Sequence, residues 1–242
     1  MISSMWRISI CILMVCLSVL LIRSTVVEGF ETMNGIRDAW YINLDRSPER
    51  RERMEIELEK LPIQSHRWKA VDGLLLTDAD YTKLNIPNWS RPNYTKETKE
   101  HTRKGEIGVF LSHKTLLEYL HNQDYNENDN HLILEDDVFI QPETVNVWNK
   151  TIIDNEWDII FMGLPNKVEK VSNGIGVPKW ITGAHAYVVK HSSLPKILHS
   201  LRVLYDPIDE VYARNVDGLV IYALSKPMIS QTYKDPSTIV RA

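Results

Sequence analysis

Between His131 and Ile140 the chain reads HLILEDDVFI, an apolar run of strand length that feeds directly into Glu135, Asp136 and Asp137. Three adjacent carboxylates repel one another. Such a cluster is tolerable at a strand end only where a cation, a cage of hydrogen bonds or bulk water compensates it. A solvated acidic turn meets that condition as well as a metal site does, because Asp is a turn former and exposed carboxylates cost little. Position separates the two readings, since ligands of open α/β sheets bind beyond the carboxyl ends of the strands.

The flanking pattern predicts such a sheet. Ala39–Leu44 is an aromatic-rich run of strand length, and Asp45, Ser47 and Pro48 mark a turn and a helix start. Met54, Leu58 and Leu61 then supply one buried stripe. A second strand is predicted over Arg67–Val71, closed by the Asp72-Gly73 turn signal, with a short helix over Thr77–Leu84. Gly105–His121 carries Ile107, Phe110, Leu111, Leu117 and Leu120 on one broad helical face. Further strands are expected at Leu132–Leu134, Trp157–Met162, Ala184–Val189 and Leu219–Ala223. Helices are expected around Val145, Trp148 and Ile152 and again around Leu194–Leu201, with a hairpin or loop over Lys167–Ile181. This alternation predicts an α/β fold whose parallel-rich sheet is covered on both faces. Residues 85–103 form the longest irregular stretch, where an active-site flap is expected.

At 242 residues, 43% hydrophobic and 25% charged, the composition is that of a globular chain with one main domain. The formal charge is −4, and the first 23 residues carry only Arg7 and Arg23, which leaves −6 on the remainder. That balance argues against a nucleic-acid partner. Ile8–Ile22 is uncharged, long for a signal-peptide core and short for a membrane span, and the following STVVEG offers no clear small-x-small cleavage site. An uncleaved signal anchor is expected, with a cleaved signal peptide as the alternative. The implied division is 1–23 signal anchor or signal peptide, 24–38 stem and 39–242 globular domain, exported to the secretory pathway or held at a membrane with that domain lumenal or external. Cys11 and Cys16 both lie in the first segment, so the domain has no disulfide, thiolate nucleophile or zinc–thiolate site. Sequons at Asn88, Asn93 and Asn149 fit an exported chain.

If Glu135-Asp136-Asp137 is extended, Glu135 and Asp137 share one side and Asp136 faces the other. Two hard oxygen donors beyond a strand suit Mn²⁺ or Mg²⁺, completed by substrate phosphates and water. A dication there neutralises a diphosphate leaving group, which implies a nucleotide-activated substrate. The chain lacks GxGxxG and GxxxxGK[ST], and its ten glycines are scattered, so a P-loop NTPase or dinucleotide dehydrogenase is not indicated.

The strings INLDRSPERR (Ile42–Arg51), RWKAVDG (Arg67–Gly73), KGEIGVFLSH (Lys104–His113), ILEDD (Ile133–Asp137), GAHAYVV (from Gly183) and PIDEVYA (Pro207–Ala213) resemble, in order, glycosyltransferase family 25. That family includes lipooligosaccharide and procollagen galactosyltransferases. The resemblance implies a GT-A-like nucleotide-sugar-binding fold, with a mostly parallel central sheet flanked by helices. It also implies transfer of a hexose, usually galactose, from a UDP-sugar donor to a hydroxyl of a glycan or protein acceptor. Carried onto this sequence, it assigns Glu135 and Asp137 to the metal and diphosphate motif with Asp136 between them, and Asn43, Arg46 and Arg50 to the neighbourhood of the nucleotide. The arginines read equally as helix-start surface charges.

Asp209 is the candidate general base of an inverting transfer and Glu210 its rival, against a plain helix-start reading. His113 reads as structural. His185 is a candidate contact to the donor sugar or the metal, or a buried, satisfied histidine. Two other functions remain open: a glycoside hydrolase using two carboxylates without metal, and a non-catalytic sugar-binding module.

Overall fold

A computed structural model describes residues 32–91, 100–151, 153, 156–164, 168–204 and 206–232, without the side chains of 100–102, 170 and 171. In chain order the regular elements are β1 (Ile36–Asn43), α1 (Pro48–Leu58), β2 (Gln64–Lys69), α2 (Asp78–Lys83), α3 (Glu100–His121), β3 (Asn130–Glu135), β4 (Val138–Ile140) and α4 (Thr144–Lys150). They continue with β5 (Ile159–Phe161), β6 (Val168–Ser172), β7 (Ile175–Pro178), β8 (Ala186–Lys190), α5 (Leu194–Ser200), α6 (Ile208–Arg214), β9 (Ile221–Leu224) and β10 (Ile229–Gln231).

The main sheet has the order β2-β1-β3-β8-β5-β9-β7-β6. β2 and β3 flank β1 in parallel, β5 and β9 pair in parallel, and β8 is inserted antiparallel between β3 and β5. The β6–β7 hairpin continues the sheet from β9. All strands of this sheet except β8 and β7 therefore run one way, which is the expected mostly parallel α/β sheet. β4 and β10 form a separate antiparallel ribbon.

Strand periodicity divides the core. Successive side chains alternate between faces, so the wholly buried Ile133 of β3 packs with Phe110, Leu117, Tyr187 and Tyr212, under α3, α5 and α6. Its neighbours Leu132 and Leu134 pack on the other face with Met54, Leu58 and Trp148 of α1 and α4. Helices thus cover both faces, and each strand supplies both cores.

The boundaries differ from the pattern in ways that have physical causes. The compact unit begins at Met33, not at Ala39, so the predicted stem contributes the buried Met33 and the first residues of β1. Asp38 had obscured the strand signal; it is buried and paired with His131. β2 ends at Lys69: Ala70 N–H still donates to the Asn43 carbonyl (3.0 Å), and Val71 turns away to meet α3. β4 and β10, three residues each, were too short for periodicity to report. α3 starts at Glu100, inside the predicted flap, whose residues 92–99 lie outside the described residues. Ile8–Ile22 and Asn93 also lie outside them, and among the described residues no helix is long and apolar enough to cross a membrane.

Candidate donor and cation site

The acidic cluster stands at the carboxyl end of β3, where Glu135 N–H donates to the His185 carbonyl (2.9 Å) and Asp136 and Asp137 turn the chain into β4. The segment is a turn rather than extended strand, so all three carboxylates line one cleft. Their partners nevertheless differ. Asp136 accepts from Asn43 Nδ2 and from the Arg50 guanidinium, each at 2.7 Å. Asn43 is consumed by the same network, donating also to the Ser47 carbonyl (3.1 Å) and accepting from Arg67 Nε (2.9 Å). Pro48 opens α1 and places Arg50 in its first turn, where the buried guanidinium also lies 3.6 Å from Asp137 Oδ2. Asn43 and Arg50 therefore hold the acidic turn. Arg46 is more exposed and bonds Asp72 Oδ2 at 2.6 Å across the mouth of the cleft.

The opposite wall comes from two motifs that interlock. Val71 N–H donates to Ser112 Oγ (2.8 Å), which itself donates to the Gly108 carbonyl (2.6 Å). Close approach requires Gly73 and Gly108: a Cβ on Gly73 would overlap the Lys104 carbonyl, and one on Gly108 would come within 2.7 Å of Gly73 N. The segment after β2 is thereby pressed against α3, and His113 lies one residue beyond Ser112. Its buried ring bridges Tyr187 OH (2.9 Å from Nδ1) and Glu135 Oε1 (3.4 Å from Nε2). A carboxylate only accepts, so Nε2 carries the hydrogen and Nδ1 accepts from the tyrosine hydroxyl.

Burial and mutual charge set the state of the acids. For Glu135, burial pushes the pKa up, but hydrogen bonding and proximity to His113 outweigh it and hold the carboxyl below its ordinary value. Asp136 is raised by burial, against the pull of Arg50 and Asn43. Asp137 is pushed up to about 7, first by burial and then by the Glu135 charge, with Arg50 opposing. Its Oδ1 is buried and has no hydrogen-bond partner among the described residues. An orphaned carboxylate oxygen beside a second carboxylate fits a divalent cation, with Asp137 and Glu135 as the protein oxygens. Among the described residues no group of three His, Cys, Asp or Glu side chains is disposed to hold a metal, so the remaining ligands would be substrate oxygens and water.

The cleft encloses about 710 Å³ of space open to solvent, with Val71, Leu74, Ser112 and Gln231 among its walls. A second space, also open to solvent, is lined by Gly163, Thr182, Gly183, His185, Ser230 and Gln231. Gln231 belongs to both and donates to Glu135 Oε2 at 3.3 Å. His185 is buried at the second space, with Nε2 3.3 Å from the Ile229 carbonyl and Nδ1 unpaired among the described residues. It is therefore not the satisfied histidine that was the bland alternative.

Asp209 lines neither space. It lies in the first turn of α6, and its carboxylate accepts from Gly183 N–H (2.7 Å) and Glu210 N–H (3.1 Å). It reaches the second space only through Gly183; Glu210 is half-buried beside it and lines neither space. Sequence reasoning missed Gln231 and Tyr187. Gln231 is a single neutral residue after the last predicted strand, and its place depends on β10 pairing with β4. Tyr187 stood in the GAHAYVV string as an ordinary strand residue.

Residues 37–212 match the family described as Glycosyltransferase family 25 (LPS biosynthesis protein). The chain belongs to that family. A human relative named Inactive glycosyltransferase 25 family member 3 is 29% identical over 192 residues, covering 73% of this chain and 31% of the relative. Human Procollagen galactosyltransferase 2 is 28% identical over 148 residues, 57% of this chain and 22% of that protein. The chain thus spans less than a third of the length of these curated relatives. Among solved structures, a glycosyltransferase involved in glycosylation of the major capsid of PBCV-1 aligns over 84% of this chain and 98% of its own, at 10% identity and a TM-score of 0.45. The family motifs acquire physical roles here: INLDRSPERR clamps Asp136, while RWKAVDG and KGEIGVFLSH build the wall that carries His113.

Proposed function

We propose that this chain transfers a hexose, galactose foremost, from a UDP-sugar to a hydroxyl of a glycan or protein acceptor, with inversion, in the secretory pathway. The observation that carries the reading is the buried, unpaired Asp137 Oδ1 beside Glu135 on the floor of a cleft at the carboxyl end of a central strand. Manganese or magnesium held by Asp137 and Glu135 would supply Lewis-acid neutralisation of the diphosphate. The protein's own part is positional: Arg50 and Asn43 fix the acidic turn, His113 keeps Glu135 ionised, and Arg46 with the Val71–Leu74 wall faces the nucleotide. The acceptor hydroxyl attacks the anomeric carbon, its proton passes to a carboxylate, and the bond to the diphosphate breaks with the electron pair leaving on phosphate oxygen. Asp209 is the proposed base; it stands behind Gly183, whose N–H it accepts, and would exchange that bond for the acceptor hydroxyl. Asp137→Asn is expected to abolish metal-stimulated UDP release from UDP-galactose while the chain stays folded; undiminished, chelator-insensitive release would contradict the reading.

One observation favours a second reading. Arg50 already neutralises part of the cluster, pairing with both Asp136 and Asp137, as suits a family member that binds a nucleotide-sugar without metal or without turnover. UDP binding that is unaffected by chelator, with no donor consumed, would decide for it.

A further inference from the structure

The second space, beside the acidic cleft, is bounded by groups of a different chemistry. Its walls are hydroxyl, amide, imidazole, proline ring and glycine backbone, and among the described residues no Asp, Glu, Lys or Arg lines it. One of its groups is buried without a partner. His185 is 4% exposed, and its Nε2 lies 3.3 Å from the Ile229 carbonyl, which only accepts, so Nε2 carries the hydrogen and Nδ1 is left as a lone-pair acceptor. Buried polar groups are almost always paired, so this atom calls for a donor from outside the chain. The surroundings of that atom are built tightly. A Cβ on Gly163 would overlap His185 Nε2 and the Ile229 carbonyl, and one on Gly183, which is held at φ +83°, would stand 3.1 Å from Nδ1. Asp209 fixes Gly183 in that position by accepting its N–H.

We propose that this space is the acceptor subsite and that it takes the ring of a neutral saccharide, with an acceptor hydroxyl donating to His185 Nδ1 and Ser230 and Gln231 as further hydrogen-bonding walls. This rests on the donor reading above and names the substrate class for the same site. Three features carry it. Gln231 lines both spaces and bonds Glu135, so a ligand in the second space lies beside one in the first. A cavity of about 430 Å³ accommodates a sugar ring. Finally, the uncharged lining among the described residues suits a polyol.

The test is a titration of the full chain, saturated with UDP and Mn²⁺, with free hexoses, short oligosaccharides and hydroxylysine peptides, followed by ligand-observed NMR. The saccharides are expected to bind and the peptide not. Ser230→Val and His185→Gln, the latter retaining a donor toward Ile229, are expected to weaken saccharide binding at least tenfold while the Kd for UDP stays within about twofold. His185→Asn, which returns a polar atom near the Nδ1 position, is expected to recover part of the loss. Peptide binding in place of saccharide, or variants that weaken UDP and leave the saccharide unchanged, would overturn the assignment. Failure of the unaltered chain to bind UDP is a separate result, which overturns the donor reading and this subsite with it.

Discussion

β1 and β3 carry a buried acid–base cluster at each end, and the two clusters are put together in opposite ways. At the amino ends, Asp38 and His131 are register partners on adjacent strands, joined by a 2.7 Å hydrogen bond, and His131 Nε2 meets His191 Nδ1 at 3.3 Å. Tyr125 packs against both rings. One carboxylate faces one imidazole, and the pair is closed to solvent. At the carboxyl ends, roughly 17 Å away at ~3.3 Å per residue, three carboxylates crowd together, two of them, Asp136 and Asp137, share Arg50, and Asp137 keeps an oxygen with no partner among the described residues. The same strands and the same kinds of residue therefore give a satisfied joint at one end and a charge-frustrated pocket at the other. Folding alone selects the first arrangement. The second carries a standing cost and is understandable where a ligand completes it.

The largest effect that would sharpen this contrast is on function at the carboxyl end. Asp137→Asn is expected to lower UDP-sugar turnover by at least a hundredfold with an unchanged far-UV CD spectrum; turnover within a few-fold of the parent would erase the distinction between the two ends. The mirror experiment is Asp38→Asn. Breaking a buried pair is expected to cost about 3 kcal/mol in urea unfolding, while UDP affinity of the folded molecules stays unchanged. A loss of UDP binding without a loss of stability would show that the amino-terminal cluster is not merely a joint.

The next effect concerns pH. Asp137 holds its proton up to about pH 7 in the folded chain but releases it near pH 4 when unfolded. Between those values the folded state binds more protons than the unfolded one, so this group makes stability fall as pH rises, with no further change above pH 7. Asp137→Asn removes that slope, and the metal-free variant is expected to be more stable than the parent at pH 8 by on the order of 2 kcal/mol. A variant less stable than the parent at pH 8 would contradict the assigned frustration. The smallest effect belongs to Arg46. Its exposed bond to Asp72 limits Arg46→Ala to a several-fold rise in KM for the UDP-sugar, with kcat unchanged; a loss of kcat would place Arg46 closer to the chemistry.

Much of this was legible in the sequence, and the parts that were not share a cause. The β3 run and the long apolar face of α3 announced a sheet with helices on both sides. The three acids at the end of β3 announced where to look. The family resemblance also singled out Asn43 and Arg50, but as contacts to a nucleotide. Their actual partner, Asp136, lies about ninety residues away in the chain, and only the tertiary fold makes Arg50 a buried counter-ion rather than a surface charge. Asp209 was named as the candidate base, but its partner was not legible for a similar reason: a carboxylate in a helix's first turn reads the same whether or not it reaches across to Gly183. Gln231 and the ribbon that carries it are too short to leave a periodic trace. Asp38 misled directly, since a buried charge interrupts the apolar pattern and made the first residues of β1 look like linker.

The most direct test is a Mn²⁺ titration of the chain in the presence of UDP, followed by electron paramagnetic resonance of the free ion, for the parent and for Asp137→Asn. One Mn²⁺ bound per parent chain, and none by the variant in the same concentration range, is the predicted result. Equal binding by both, or none by the parent, would contradict the account of the carboxyl-end cluster as a cation-completed donor site.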